Sequence, residues 1–306
     1  MIQAPLTGIL PVAPTPFNVN GTVDEEGMRR VLDCMIDQSV DGICILANYS
    51  EQFVLSDEER AKLTRISLEH IAGRVPVIVT ISHFSTQIAV DRAKYAESLG
   101  ASMLMMMPPY HGVGLVPAEQ GIIEHFQAVS DAISTPIMVQ DAPLSGVVLP
   151  VPLLARMAKQ IENVSYFKIE TPFAADKLAA LIEQGGRDIV GPFDGEEAVT
   201  LLADLDAGCT GTMTSAMFPE KIRPIVLEHR AGNLDAALRQ WETCLPLINH
   251  ENRQCGLRAA KTVMMEGGVI KSDYVRHPLK PMSDRTKARL LSLARELDVL
   301  ALKWGK

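Results

Sequence analysis

Short apolar runs alternate with longer amphipathic segments from the start of the chain to about residue 230. The first run is Ile9 to Ala13. It is followed by a stretch from Asp24 to Gln38 in which Met28, Val31, Leu32 and Met35 share one face at helical spacing. GICIL (42–46) precedes a helix opened by Ser56, with Glu59 three residues on in a capping-box pattern. VPVIVT (75–80) leads to a helix capped near Ser85 and stopped by Gly100. SMLMMM (102–107) leads to a helix from about Pro117, and PIMVQ (136–140) to one near Pro152 to Gln160. VSYFK (164–168) precedes a helix from Phe173 to Glu183, and DIVG (188–191) precedes EEAVTLLADL (196–205). CTGTM (209–213) and the helix after Pro219 make the eighth unit.

Eight strand–helix repeats predict a (β/α)8 TIM barrel. The runs are apolar throughout rather than alternating, as parallel strands covered on both faces should be. The competing open, doubly wound sheet would carry a glycine-rich phosphate turn after its first strand, and PVAPTPFN has none. Beyond residue 230 no further strand is visible. Leu234, Ala237, Trp241, Cys244 and Leu245 make one helical stripe, and Leu290, Leu293, Ala294 and Leu297 another. The expected organisation is a catalytic barrel over 1–230 and a C-terminal helical domain over 231–306.

Charge narrows the partners. Against 29 basic residues stand 37 acidic ones, a net charge of -8 with no basic run, which speaks against a nucleic-acid partner. The apolar runs are far shorter than a bilayer span needs, so no membrane partner is expected. The start of the chain lacks a secretory pattern, and the five cysteines form no CxxC pair. Buried free thiols and a cytoplasmic location are the expectation. The histidines show no metal-ligand spacing and no glycine-rich phosphate cradle is present, so neither a metal nor a cofactor is expected.

In a barrel, chemistry gathers where strands end at their C-terminal side. Those positions hold Asn48, Tyr49, Ser50 and Glu51 after strand 2, Ser82 and His83 after strand 3, and Tyr110 and His111 after strand 4. Gln140 and Asp141 end strand 5, Lys168 ends strand 6 with Glu170 beyond it, and Asp194 follows strand 7. Lys168 is the most informative. A lysine in a buried strand loses hydration, which lowers its pKa and frees an amine to attack a ketone. Equally, its ammonium could simply pair with Glu170 at the rim.

At these residues the sequence resembles the dihydrodipicolinate synthase and N-acetylneuraminate lyase family of Schiff-base barrel enzymes. The resemblance rests on LANYSEQFVLSDEER (46–60), MPPY (107–110), PIMVQDAP (136–143), YFKIE (166–170) and GGVIKSDYVRHPLKP (267–281). It implies that Lys168 is the Schiff-base lysine, that Tyr110 reaches a neighbouring subunit's site, and that the protein is a homotetramer, a dimer of dimers. The departures matter too. Asn48 and Tyr49 stand where most of the family has threonines or serine–threonine, Gln140 replaces a strand 5 tyrosine, and Ser145 replaces the arginine of the synthases.

The strings ILANYSEQFVL, HFST, MPPYHG, YFKIE, DGEEA and PLINHENRQ resemble the L-2-keto-3-deoxyarabonate dehydratase branch, which serves non-phosphorylating pentose catabolism. That branch implies a 2-keto-3-deoxy sugar acid as substrate and α-ketoglutarate semialdehyde as product. Lys168, Tyr110 and Gln140 are then the catalytic candidates, and Asn48, Tyr49, Ser50, His83 and Glu170 the substrate-binding ones. Aldol cleavage of the same kind of acid is the alternative, disfavoured by Gln140. Dihydrodipicolinate synthesis ranks behind it, and a non-catalytic sugar-acid sensor would not need Lys168.

Overall fold

Eight apolar runs become parallel strands in the computed structural model, which describes residues 5–112 and 115–306. They are β1 (Gly8–Ile9), β2 (Ile43–Ile45), β3 (Val77–Thr80), β4 (Met103–Met106), β5 (Ile137–Asp141), β6 (Val164–Ile169), β7 (Gly191–Asp194) and β8 (Gly211–Thr212). The helices between and after them are α1 (Glu25–Asp37), α2 (Asp57–Ile71), α3 (Thr86–Ser98), α4 (Glu119–Ser130), α5 (Val151–Gln160), α6 (Ala174–Gly185), α7 (Leu201–Asp206) and α8 (Pro219–Arg230). The hydrogen-bonded order is β1-β8-β7-β6-β5-β4-β3-β2. The ring closes where Cys44 donates its N–H to Pro11 at 2.9 Å and accepts that of Ala13 at 2.8 Å. The barrel is therefore complete although β1 is only two residues long.

The two faces of the strands feed different cores. Inward, Ile78, Met103, Met105, Met138, Phe193 and Met213 fill the barrel, so the methionine run is packing material. The Tyr166 hydroxyl accepts the Leu6 N–H at 3.1 Å within this inner core. Outward, the strands pack against the helical ring, and that apolar core continues without a break into α9 (Leu234–His250), α10 (Arg258–Glu266) and α11 (Asp284–Glu296). A filled interior leaves the C-terminal mouth as the place for chemistry.

Capping explains where helices begin. Asp24 accepts the Gly27 N–H at 2.9 Å to open α1. Ser56 and Glu59 exchange bonds of 3.2 and 3.0 Å at the head of α2, the box read from the sequence.

The seventh unit departs from the sequence reading. Its strand is Gly191–Asp194 rather than 188–191, because Asp188 closes a short turn of 3-10 helix and the pairing with β6 starts at Gly191. Its helix starts at Leu201, not Glu196. The Asp194 carboxylate accepts the N–H groups of Glu196 at 3.0 Å and Ala198 at 3.1 Å, and Glu197 and Ala198 take positive φ of 52° and 69°. That bracing replaces the first turn of the expected helix with a tight loop over the barrel mouth.

Candidate active site

Lys168 stands near the end of β6, 3% exposed, in register with Gln140 on β5. Residues i and i+2 of a strand face the same way, so Glu170 follows Lys168 onto the same side. The Lys168 ammonium lies 2.5 Å from Oε1 of Glu170, and that oxygen also accepts the Gln140 amide at 2.7 Å. Oε1 of Gln140 is buried and has no partner among the described residues, so an acceptor is left free beside the lysine. The end of β7 packs tightly against this group. A Cβ on Gly195 would come within 2.5 Å of the Glu170 side chain and 2.9 Å of that of Lys168, so only glycine fits.

A cavity of about 290 Å³ opens above the lysine, lined by Lys168, Glu170, Glu197, Asn48 and Tyr49. Phe53, Leu144 and Leu257 supply its apolar wall. The volume sits at the small end of ligand pockets, roughly 300–1,000 Å³. Asn48 is held by Gln52, whose amide donates to its Oδ1 at 2.7 Å.

The charges form one coupled group. Burial pushes the Lys168 ammonium toward its neutral form, as the sequence suggested. The Glu170 carboxylate in contact with it, with lesser help from neighbouring groups, outweighs that, and its pKa lies above the ordinary lysine value. The expected depression is thus corrected: the resting lysine is an ammonium paired with Glu170. Glu197 is driven well above the usual carboxylate range, by burial and then by Glu170, Glu251 and Asp194, against the pull of Lys168. Glu251 is 1% exposed with one oxygen unpartnered among the described residues, and burial pushes it up to about 8. The Tyr49 hydroxyl is likewise raised, by burial and then by Glu197, Glu251 and Glu170, so it stays protonated.

The residues singled out from the sequence do not all meet. Lys168, Glu170, Asn48 and Tyr49 share the cavity, and Gln140 is bonded to Glu170. Ser50 is 1% exposed and committed to the backbone, donating to Ala13 at 2.6 Å and accepting from Ala47 at 3.1 Å. Its hydroxyl is spent on the loop's own backbone. His83 and Tyr110 line a separate cavity of about 460 Å³ with Phe84 and His111, sharing only Phe53 with the lysine's cavity. His83 accepts the Ser85 N–H at 2.9 Å, and burial and Arg92 hold it below its ordinary value. Sequence reading missed Glu197, Glu251 and Leu257. Glu197 lay in a string, DGEEA, that ends a barrel strand, which was the available signal; Glu251 and Leu257 come from the helical tail.

A family model described as the Dihydrodipicolinate synthetase family matches residues 5–297. The chain belongs to this family. It is 57% identical over 298 residues to an L-2-keto-3-deoxyarabonate dehydratase of Azospirillum brasilense, covering 97% of this chain and 96% of that one. It is 29% identical to a 4-hydroxy-tetrahydrodipicolinate synthase of Bartonella bacilliformis, over 92% and 95% of the two chains. Among solved structures, the dihydrodipicolinate synthase of Thermotoga maritima superposes with a TM-score of 0.88 at 25% identity, covering 95% of this chain and 98% of that one. The dihydrodipicolinate synthetase family thus extends over the barrel and nearly all of the helical tail. The Bartonella bacilliformis synthase is about half as similar to this chain as the Azospirillum brasilense dehydratase is.

Proposed function

We propose that this protein dehydrates L-2-keto-3-deoxyarabonate to α-ketoglutarate semialdehyde through a Schiff base on Lys168. The observation that carries the reading is the surroundings of that lysine: Glu170 in contact, Glu197 lining the same cavity and driven by burial toward its protonated form, and an amide, Gln140, at the strand 5 position. The 57% identity to a dehydratase of that substrate points the same way.

Glu170 takes the ammonium proton across the 2.5 Å contact, and the amine adds to the C2 ketone. Glu170 passes that proton to the departing hydroxyl, and loss of water gives an iminium whose positive charge the Glu170 carboxylate stabilises, as it stabilises the ammonium. The iminium acidifies C3–H, and Glu170 is placed to remove that proton and form the enamine. Electrons from the enamine expel the C4 hydroxyl, which leaves as water on accepting a proton from Glu197. A C5 proton is then lost, C3 is protonated, and the C5 enol becomes the aldehyde. Hydrolysis frees the product and returns the lysine. The sum is loss of one water with no external oxidant. Gln140 cannot shuttle protons but its free oxygen can accept a substrate hydroxyl. The substrate carboxylate lies by the turn Asn48–Ser50, whose opening N–H groups have no intrahelical acceptor.

Aldol cleavage requires a base on the C4 hydroxyl; the strand 5 position holds the amide of Gln140, which cannot act as one, and Glu197 is driven toward its protonated form. Tyr110 completes the site from a second copy of the chain in a homotetramer. In support, Phe53, Phe84, Leu115, Val116, Leu144, Val148 and Phe173 are all exposed on segments leaving the same end of the barrel, a rim that a second copy would cover. The barrel is the catalytic domain, 1–230, and 231–306 a helical domain. The protein works in the cytoplasm; its five cysteines are free and buried, and no helix among the described residues is long and apolar enough to cross a membrane. Borohydride reduction with pyruvate tests the centre. It should add one pyruvate-derived group at Lys168 and none to Lys168→Ala, and a Lys168→Ala protein that kept full turnover would overturn the mechanism.

A further inference from the structure

The two turns that follow β2, Asn48–Ser50 and Gln52–Val54, are joined by Glu51, whose backbone sits in the left-handed region at φ 58° and ψ 38°. That conformation is unfavourable for a residue with a Cβ, so something outside the turns must hold it. The holder is in the helical tail. Glu51 and Lys261 on α10 are both fully buried and form an ion pair across 210 positions of sequence. Lys261 also donates to the Tyr274 carbonyl at 2.9 Å. Beside it, Arg276 donates its backbone N–H to Glu51 at 3.3 Å and its guanidinium to the Val54 carbonyl at 2.9 Å, and pairs with Glu59 at 2.5 Å. Both cations stack on Phe17, 4.3 and 4.4 Å from the ring centre.

A buried ion pair is a poor way to gain stability, because desolvation offsets most of the attraction; its best-attested use is to fix register. What this pair fixes is the wall of the cavity. Glu51 directly follows Asn48, Tyr49 and Ser50, and α10 begins next to Leu257, which lines the same cavity.

We propose that Glu51 and Lys261 are positioning residues: a buried clasp by which the helical tail sets the substrate loop bearing Asn48 and Tyr49 against Lys168. This rests on the reading of those two residues as substrate contacts. The clasp makes a distinction that ordinary stabilisation would not. Removing both charges together should relieve the desolvation cost while leaving the loop without its guide.

The test compares Lys261→Met with the double variant Glu51→Leu/Lys261→Met, using thermal unfolding and calorimetric titration with pyruvate. The single variant strands a buried carboxylate and should lower both the unfolding midpoint and the affinity. The double variant should recover the midpoint yet still bind pyruvate about 10- to 100-fold more weakly than the parent, the size of one lost hydrogen bond to a charged group. Lys261→Gln, which keeps a donor to Glu51 without the charge, covers the case in which the double variant does not fold. Parental affinity in any variant that is folded by circular dichroism would overturn the proposal. Turnover of L-2-keto-3-deoxyarabonate by the unaltered protein is measured alongside. If it fails while pyruvate binding still falls in the variants, the assigned substrate is wrong and the clasp stands.

Discussion

Glu251 offers a sharp quantitative test of the charge arrangement, because it is buried, lacks a partner for one oxygen among the described residues, and is pushed by burial from the ordinary 4.5 up to about 8. An acid whose folded pKa is raised contributes stability that is present at low pH and lost as pH rises. Between 4.5 and about 8 the unfolded chain has released this proton while the native state keeps it. Each pH unit in that window removes about 1.4 kcal/mol. From pH 5 to pH 8 the loss is on the order of 4 kcal/mol, which for a chain of this size is roughly 5–10 °C in the unfolding midpoint. Glu251→Gln keeps the shape of the protonated acid and cannot ionise. Parent and variant should therefore unfold at similar temperatures at pH 5 and diverge toward pH 8, the variant being the more stable. Thermal scans of both proteins at half-unit intervals read the difference directly, and all other titrations cancel to the extent that they are shared. Parallel curves across pH 5–8 would refute the claim that Glu251 is protonated in the native state.

Other outcomes follow from the same geometry. Glu197→Gln should lower kcat for dehydration by about 10²–10⁴-fold, the range for a lost general acid, while borohydride trapping of pyruvate at Lys168 persists. Gln140→Tyr should give detectable pyruvate from the sugar acid, since it introduces a hydroxyl able to exchange a proton; a product mixture unchanged from the parent would count against the role given to strand 5. Thiol reagents should label none of the cysteines of the folded protein, because burial pushes Cys34, Cys209 and Cys255 up to about 12 and Cys44 and Cys244 up to about 11. Mass analysis after labelling under native and denaturing conditions checks this.

The barrel was legible because strands covered on both faces must be apolar throughout, and this chain repeats such runs with helices capped by visible residues such as Ser56 and Glu59. The seventh unit was not, for a local reason. Its strand is GPFD, in which Pro192 and Asp194 break the apolar signature, while the more apolar Ile189 and Val190 just before it lie outside the strand. The pairing is visible only in three dimensions, where Pro192 lies beside Phe167 and accepts the Thr210 N–H at 2.7 Å. The same blind spot hid Glu197, which periodicity places on a helix and Asp194 turns into the cavity. Reading strand ends located Lys168, Glu170 and Gln140. It could not locate Glu251 or Leu257, since the rule looks only at barrel loops and these arrive from the tail. Nor could spacing show that Lys168 would be raised rather than lowered, because that depends on how many carboxylates surround it.

The central claim is that this site removes water rather than breaking a carbon–carbon bond. Mass spectrometry of the products formed from L-2-keto-3-deoxyarabonate tests it most directly. A single product lighter than the substrate by one water is expected, absent with Lys168→Ala. Pyruvate together with glycolaldehyde would contradict it and make the protein an aldolase.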